Sequence, residues 1–298
     1  MLTKKISIGS QAAGIVNMPC MIPRWLKRLF LAAGLLCAML YLALCIGCAS
    51  LQRRLIYFPP PYNPAEVEQY AASQNLTRWT SPSGEPIGWK RLSPTQPSQG
   101  QVLITHGNAG CAFQCGHYAD VLQRAAALDV YIVEYPGYEN RPGSPTEDTL
   151  YAAADEALRL LPTTRPIYLV GESLGTGVAT YLAGKHPTEI AGVALLAPYN
   201  SLVSVGQAHM VILPVSLILR DRYPSEKHLR TYHGPVAMLT GGHDNVVPEK
   251  FGRRLYDSYE GPKRLWEFPE GDHGTVMLQP PEVWKQIINF WQSNRQGF

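Results

Sequence analysis

Ile167-Tyr168-Leu169-Val170-Gly171-Glu172-Ser173-Leu174-Gly175-Thr176-Gly177 is the stretch from which the fold is read. Four residues suited to a buried strand run into a G-x-S-x-G match, and a helix-like segment follows from Thr176. That order is what a nucleophile elbow requires. The serine occupies a strained turn between strand and helix, and small residues two positions to either side let the two elements approach. Ser173 is therefore expected at the carboxyl end of a central strand, exposed to a substrate.

Around this stretch the pattern repeats. Short apolar strands are expected at Val102–Thr105, Val130–Val133, Val193–Leu196, Val236–Thr240 and Arg264–Phe268. Helices are expected near Cys111 to Leu128, Pro145 to Leu161, from Thr176 to His186, Pro248 to Tyr259 and Pro280 to Ser293. Alternation of this kind means an α/β fold with a mostly parallel sheet covered by helices on both faces. Upstream, a short helix is expected near Pro64 to Gln74, and residues 77–80 and 87–91 flank a Pro-Ser-Gly-Glu-Pro turn suited to a hairpin. Consecutive prolines at positions 59 to 61 block continued helix, so the segment from Leu51 reads as an extended lead-in.

The chain of 298 residues carries a formal charge of +3, with 46% hydrophobic residues. Residues 1–47 hold Lys4, Lys5, Arg24, Lys27 and Arg28 and no acidic group, so removing these five leaves −2 on the rest. This balance argues against a nucleic-acid footprint, which would show as a basic face on the folded domain. Leu29 to Gln52 is free of charge and follows a basic cluster. Its length suffices to span a bilayer, with the N-terminal side in the cytoplasm and the body exported. A retained anchor and a cleaved signal both fit. Met18 and Met21 lie close before the basic cluster, which leaves residues 1–20 open as a mis-assigned start. The expected organisation is a signal or anchor over 1–47, an extended linker and short helix over 48–76, and a catalytic domain over 77–298 with a short cap insertion at 199–234. Of six cysteines, Cys20, Cys37, Cys45 and Cys48 lie in or beside the apolar segment, leaving Cys111 and Cys115 in the body. A local disulfide and two packed thiols are both open readings for that pair.

A serine hydroxyl becomes a useful nucleophile only when a base takes its proton, and the imidazole that does so needs a carboxylate to fix its tautomer. After Ser173 the chain supplies Asp244, in Gly241-Gly242-His243-Asp244-Asn245, and then His273, in Gly271-Asp272-His273-Gly274. Both fall just past a strand end, and the order serine, acid, histidine suits this type of sheet. Asp272 adjoins the histidine and is assigned to the loop, Asp221 to pairing with neighbouring arginines, and His243 to shaping the loop or lining the pocket. His117, His186, His209, His228 and His233 have no convincing partner spacing. A developing oxyanion needs two preorganised donors. The backbone N–H of Leu174 is one; for the second, the loop His106-Gly107-Asn108-Ala109-Gly110 nominates the N–H of Asn108, a plain tight turn being the other reading. No H-E-x-x-H, cysteine and histidine cluster or phosphate loop is present, so hydrolysis without metal or cofactor is expected.

With H-G-N-A-G, E-Y-P-G-Y, G-E-S-L-G, G-G-H-D-N-V-V-P and G-D-H-G placed, the chain resembles the α/β-hydrolase superfamily, and within it the Bem46-like proteins and membrane-associated ABHD-type serine hydrolases. The resemblance covers roughly residues 77 to 295. It implies a Ser-Asp-His triad at Ser173, Asp244 and His273 with oxyanion donors at Asn108 and Leu174. Glu139-Asn140-Arg141 departs from relatives that carry glycine after the second tyrosine, in a loop expected to border the pocket. Cys45-Ile46-Gly47-Cys48-Ala49-Ser50 resembles the lipobox of bacterial lipoproteins, with Cys48 as the lipidated residue; a cysteine of a membrane helix is the alternative. The run Met210 to Leu219 is either an apolar cap or a packed core helix. The expected function is a membrane-tethered serine hydrolase acting on esters or thioesters of small-molecule or lipid acyl groups. A serine peptidase of the same fold and a non-catalytic binding protein remain the alternatives.

Overall fold

The structure, a computed structural model, describes residues 23–294. Met18, Met21, Cys20, Lys4 and Lys5 lie outside the described residues. The chain divides into two compact units, Met1–Ile46 and Gly47–Phe298. Helix α1 (Arg24–Ile56) begins in the first of them, where Leu29, Phe30, Leu35, Met39 and Leu42 are all exposed. By length and composition this helix is able to cross a membrane, a property that signal sequences share.

The second unit is built on one eight-stranded sheet. The strands are β1 (Thr77–Thr80), β2 (Pro86–Arg91), β3 (Gly100–Thr105), β4 (Leu128–Val133), β5 (Ile167–Glu172), β6 (Ile190–Leu196), β7 (Val236–Gly241) and β8 (Lys263–Phe268). They lie in the order β1-β2-β4-β3-β5-β6-β7-β8. The β1–β2 and β2–β4 pairings are antiparallel; the remaining five pairings of the described sheet are parallel. Every residue of β3, β4, β6 and β7 is buried. Successive residues of a strand point to opposite faces, so unbroken burial means that both faces are covered.

The covering helices follow in chain order: α2 (Pro64–Ser73), α3 (Gly116–Ala125), α4 (Glu147–Arg159), α5 (Leu174–Lys185), α6 (Leu202–His209), α7 (Val215–Ile218), α8 (Ser225–His228), α9 (Glu249–Ser258), α10 (His273–Met277) and α11 (Pro281–Asn294). α3 packs against α11, whereas α5 packs against α4 and α8. Trp291 on α11 stacks on Tyr168 of β5 and donates its ring N–H to the Val193 carbonyl at 3.1 Å. A side chain at Gly192 would strike that indole.

Several elements differ from the sequence reading. Residues 51–56 are helical, not extended, because the prolines that stop the helix stand three residues later. The helix expected over Cys111 to Leu128 is a short 3-10 turn (Ala112–Cys115) followed by α3, and Leu128 already belongs to β4. Cys111 and Cys115 are buried free thiols. Burial pushes the Cys111 thiol up to about 12 and raises Cys115 as well, which leaves both in the inert protonated form. The run from Met210 is not a packed core helix: it breaks at Pro214, and Val211, Ile212 and Leu217 are about four-fifths exposed (79%, 78% and 83%).

β5 delivers Ser173 in the left-handed region, at φ 50° and ψ −116°. The turn is feasible because α5 starts almost in contact with β3. A Cβ on Gly175 would overlap the Thr105 carbonyl oxygen, and one on Gly171 would lie 2.8 Å from the Gly175 oxygen. Overpacking against main chain that cannot yield costs roughly 1–3 kcal/mol or more. Gly175→Ala is therefore expected to lower unfolding free energy by about 3 kcal/mol in chemical denaturation of the purified chain. A change below about 0.5 kcal/mol would contradict this account of the elbow.

Candidate active site

The loops at the carboxyl ends of β5, β7 and β8 bring three side chains together. His273 Nε2 lies 3.1 Å from Ser173 Oγ, and His273 Nδ1 lies 2.7 Å from Asp244 Oδ2. Asp244 is held from its other oxygen, which accepts the backbone N–H groups of Val246 and Val247 at 2.9 and 2.7 Å. Its carboxylate is buried, so it is a fixed acceptor for one ring nitrogen. With Nδ1–H donated to Asp244, Nε2 is left as the acceptor facing the serine hydroxyl.

Asp272 does not join this group. It caps α10 by accepting the N–H and hydroxyl of Thr275 at 2.8 and 2.7 Å. Asp221 pairs with Arg53 at 3.4 Å and accepts the Tyr57 hydroxyl at 3.0 Å, so its arginine partner is 168 positions away and not the adjacent Arg220 or Arg222. His243 is exposed beside Glu270 at 3.9 Å and does not line the cavity. His209 does line it, with Nε2 donating to the Val246 carbonyl at 2.9 Å, a position that spacing alone did not single out. His117 bonds the Gln114 carbonyl, His186 bonds Asp155, and His228 is pushed down to about 4 by burial.

The loop after β3 passes directly over the elbow. Gly107 approaches so closely that a Cβ there would meet the Glu172 carboxylate at 2.8 Å. Beneath it, His106 and Glu134 form a fully buried pair, with Nε2 2.9 Å from Glu134 Oε1. Burial acts to lower the His106 pKa, but the Glu134 carboxylate outweighs it and the net displacement is upward. Both ring nitrogens face acceptors, Nε2 the Glu134 carboxylate and Nδ1 the Gly107 carbonyl at 2.8 Å. That carbonyl shares one trans peptide plane with the Asn108 N–H, and the two point in opposite directions. Fixing one therefore aims the other. Among the described residues, no partner occupies the N–H of Asn108 or of Leu174. The Asn108 side chain is occupied: its oxygen accepts the Tyr138 hydroxyl at 2.9 Å and the Phe58 N–H at 3.1 Å, and its nitrogen donates to the Ile56 carbonyl.

Ser173 opens into a cavity of about 460 Å³. Its walls are mostly aliphatic, with Leu202, Val205, Met210, Val215 and Leu219 supplied by residues 199–234. Cys48, Gln52, Leu55 and Ile56 supply another wall, in a segment read from sequence as linker. Glu139, Asn140 and Arg141 are absent from the lining. Arg141 instead turns inward, donating to the Glu134 carbonyl at 2.7 Å, and Glu139 accepts Arg78 and the Trp89 indole N–H at 2.6 and 3.0 Å. No group of three or more metal-ligating side chains occurs among the described residues.

Comparison with known proteins agrees with the architecture. A family model described as the alpha/beta hydrolase fold matches residues 100–230. An uncharacterized protein of Mycobacterium tuberculosis is 35% identical over 242 residues, covering 77% of this chain and 85% of its own. The lysophosphatidylserine lipase ABHD12 of Danio rerio is 27% identical over 206 residues, covering 60% of this chain and 52% of its own. Among solved structures, Est1E of Butyrivibrio proteoclasticus, bound to ferulic acid, superimposes with a TM-score of 0.59 at 14% identity, over 73% of this chain and all (100%) of its own. With its eight-stranded, mostly parallel sheet, this chain belongs to the α/β-hydrolase family, in the branch that holds the Bem46 and ABHD proteins.

Proposed function

We propose that this hydrolase cleaves carboxylic ester or thioester bonds of acyl or lipid-like substrates through Ser173, His273 and Asp244, by way of an acyl-enzyme. The observation that carries the proposal is the continuous contact from Asp244 through His273 to Ser173 (2.7 and 3.1 Å) beside a mostly aliphatic cavity. Ser173 Oγ attacks the carbonyl carbon as His273 Nε2 takes its proton, and the imidazolium is stabilised by Asp244. The oxyanion is received by the N–H groups of Leu174 and Asn108, in a site whose main chain is already fixed. Collapse expels the alcohol or thiol, which leaves with the proton from His273. Water then repeats the sequence on the acyl-enzyme, releasing the acid and restoring the hydroxyl.

The catalytic domain over 77–298, with its cap at 199–234, is tethered through the apolar N-terminal segment, either as a retained helix or through lipid on Cys48, with the body on the exported side. The length and composition of α1 support the tether, as does an uncharacterized membrane protein of Saccharomyces cerevisiae that is 31% identical over 208 residues. The lipase named among the relatives and the aliphatic cavity support an acyl substrate.

Three measurements test this proposal. A fluorophosphonate probe is expected to label the wild type but not Ser173→Ala, with kcat lowered about 10⁴-fold or more in Ser173→Ala and roughly 10⁴-fold in Asp244→Asn. Labelling retained in Ser173→Ala would place the nucleophile elsewhere. Across p-nitrophenyl esters, kcat/KM should rise with acyl length at roughly fourfold per buried methylene, about 0.8 kcal/mol each, until the cavity is filled. A profile that is flat from acetate upward contradicts an acyl site. Glu134→Gln replaces one acceptor oxygen beside His106 with a donor, so kcat should fall by about tenfold or more with KM close to wild type at temperatures where the variant is folded, and melting temperature should fall too because a buried N–H loses its acceptor. Wild-type kcat would dismiss the aiming role of that pair.

A further inference from the structure

The residues that follow the apolar run in sequence do more than connect it to the domain. Cys48, Gln52, Leu55 and Ile56 all line the cavity, and their spacing of i, i+4, i+7 and i+8 puts them on one face of a helix. Arg54 points away from that face and is exposed. The segment is stitched down at both ends. On the cap side, Gln52 donates to the Ile218 carbonyl at 3.2 Å and accepts the Arg220 N–H at 2.7 Å. Tyr57, nearly inaccessible to solvent, reaches Asp221 at 3.0 Å and the Tyr223 hydroxyl at 2.8 Å. On the oxyanion side, the Ile56 carbonyl and Phe58 N–H engage the two ends of the Asn108 amide. Residues 48–58 therefore bridge the cap and the H-G-N loop, with the cavity between them.

We propose that this membrane-proximal segment is a working part of the substrate site. Its helical face, Leu55 above all, sets the length of acyl group accepted, and residues 56–58, where the helix ends, are a positioning element that holds Asn108 so that the adjoining N–H meets the oxyanion. This inference rests on the hydrolase reading above and adds a specificity wall and a positioning segment to it. Two features single out Leu55. It lines the cavity yet is half exposed (48%), so its side chain stands at the mouth and not in a packed core. Enlarging or shrinking it changes the room for substrate without opening a void in the fold. The Asn108 amide, by contrast, has its oxygen doubly engaged and its nitrogen bonded to a main-chain carbonyl. Truncating it frees the loop peptide while leaving the N–H itself in place.

The test uses the full chain in detergent micelles or nanodiscs, with fluorophosphonate labelling of Ser173 and a p-nitrophenyl ester series from acetate to dodecanoate. Leu55→Trp should lower kcat/KM for the longest esters about tenfold or more while acetate changes less than threefold, and Leu55→Ala should move the preference toward longer chains. Arg54→Trp, on the opposite face, should keep the wild-type profile. Asn108→Ala should lower kcat about tenfold or more on every ester with KM changed less than threefold, and Tyr138→Phe should lower it by less. Melting temperatures close to wild type identify the variants as folded. An unchanged chain-length profile in both Leu55 variants, or wild-type kcat in Asn108→Ala, overturns the inference while leaving the hydrolase standing. A wild-type chain that is not labelled at Ser173 overturns both.

Discussion

The structure depends on one close approach, that of the first turn of α5 to the end of β3, where Gly175 leaves no room for a side chain beside the Thr105 carbonyl. Ser173 is held at positive φ by that contact and by bonds from its own N–H to the Leu196 carbonyl and from Thr176 to its carbonyl, each 2.9 Å. Strain at a single non-glycine residue costs on the order of 1–3 kcal/mol and persists only where the surroundings over-determine it. Here the surroundings are strands buried on both faces. The hydroxyl is thereby placed at the carboxyl end of a central strand, in reach of loops that follow other strands.

The same economy governs the opposite wall. Glu134, at the end of β4, accepts the N–H groups of Tyr135 and Ala112 at 2.9 Å each as well as His106. These donors satisfy both oxygens of a carboxylate that has no solvent shell. It holds His106, which holds the Gly107 carbonyl, which fixes the direction of the next N–H. Three short links thus carry the orientation of one peptide plane from the sheet to the site. The segment 56–58 reaches the same loop from the other side through the Asn108 amide.

Much of the fold was legible in the sequence because buried parallel strands are short apolar runs punctuated by glycine and proline, and Ile167–Glu172 is such a run with a diagnostic turn at its end. The serine, acid and histidine positions could be nominated because each closes a strand in a fixed order along the chain. What escaped were the contacts between residues far apart. Gln52 and Asp221 look like the polar end of an apolar segment and a member of an arginine-rich loop, and only three-dimensional packing joins Gln52 to Ile218, or Asp221 to Arg53. The prolines at 59 to 61 led the sequence reading to make the segment from Leu51 extended, whereas helix α1 runs on to Ile56 and its last two turns face a cavity. Similarly, His209 carries no local partner; its role at the cavity arises from the Val246 carbonyl, contributed by the loop after β7.

The central claim is that one bent peptide presents the Ser173 hydroxyl so that an attacked carbonyl oxygen falls between two main-chain donors. A crystal structure of the chain after reaction with a long-chain alkylphosphonate tests it most directly. The account predicts phosphorus bonded to Ser173 Oγ, the phosphoryl oxygen about 2.7–3.1 Å from both the Asn108 and Leu174 nitrogens, and the alkyl chain lying between Leu55 and Met210. An adduct on another residue, or a phosphoryl oxygen turned away from both nitrogens, would contradict it.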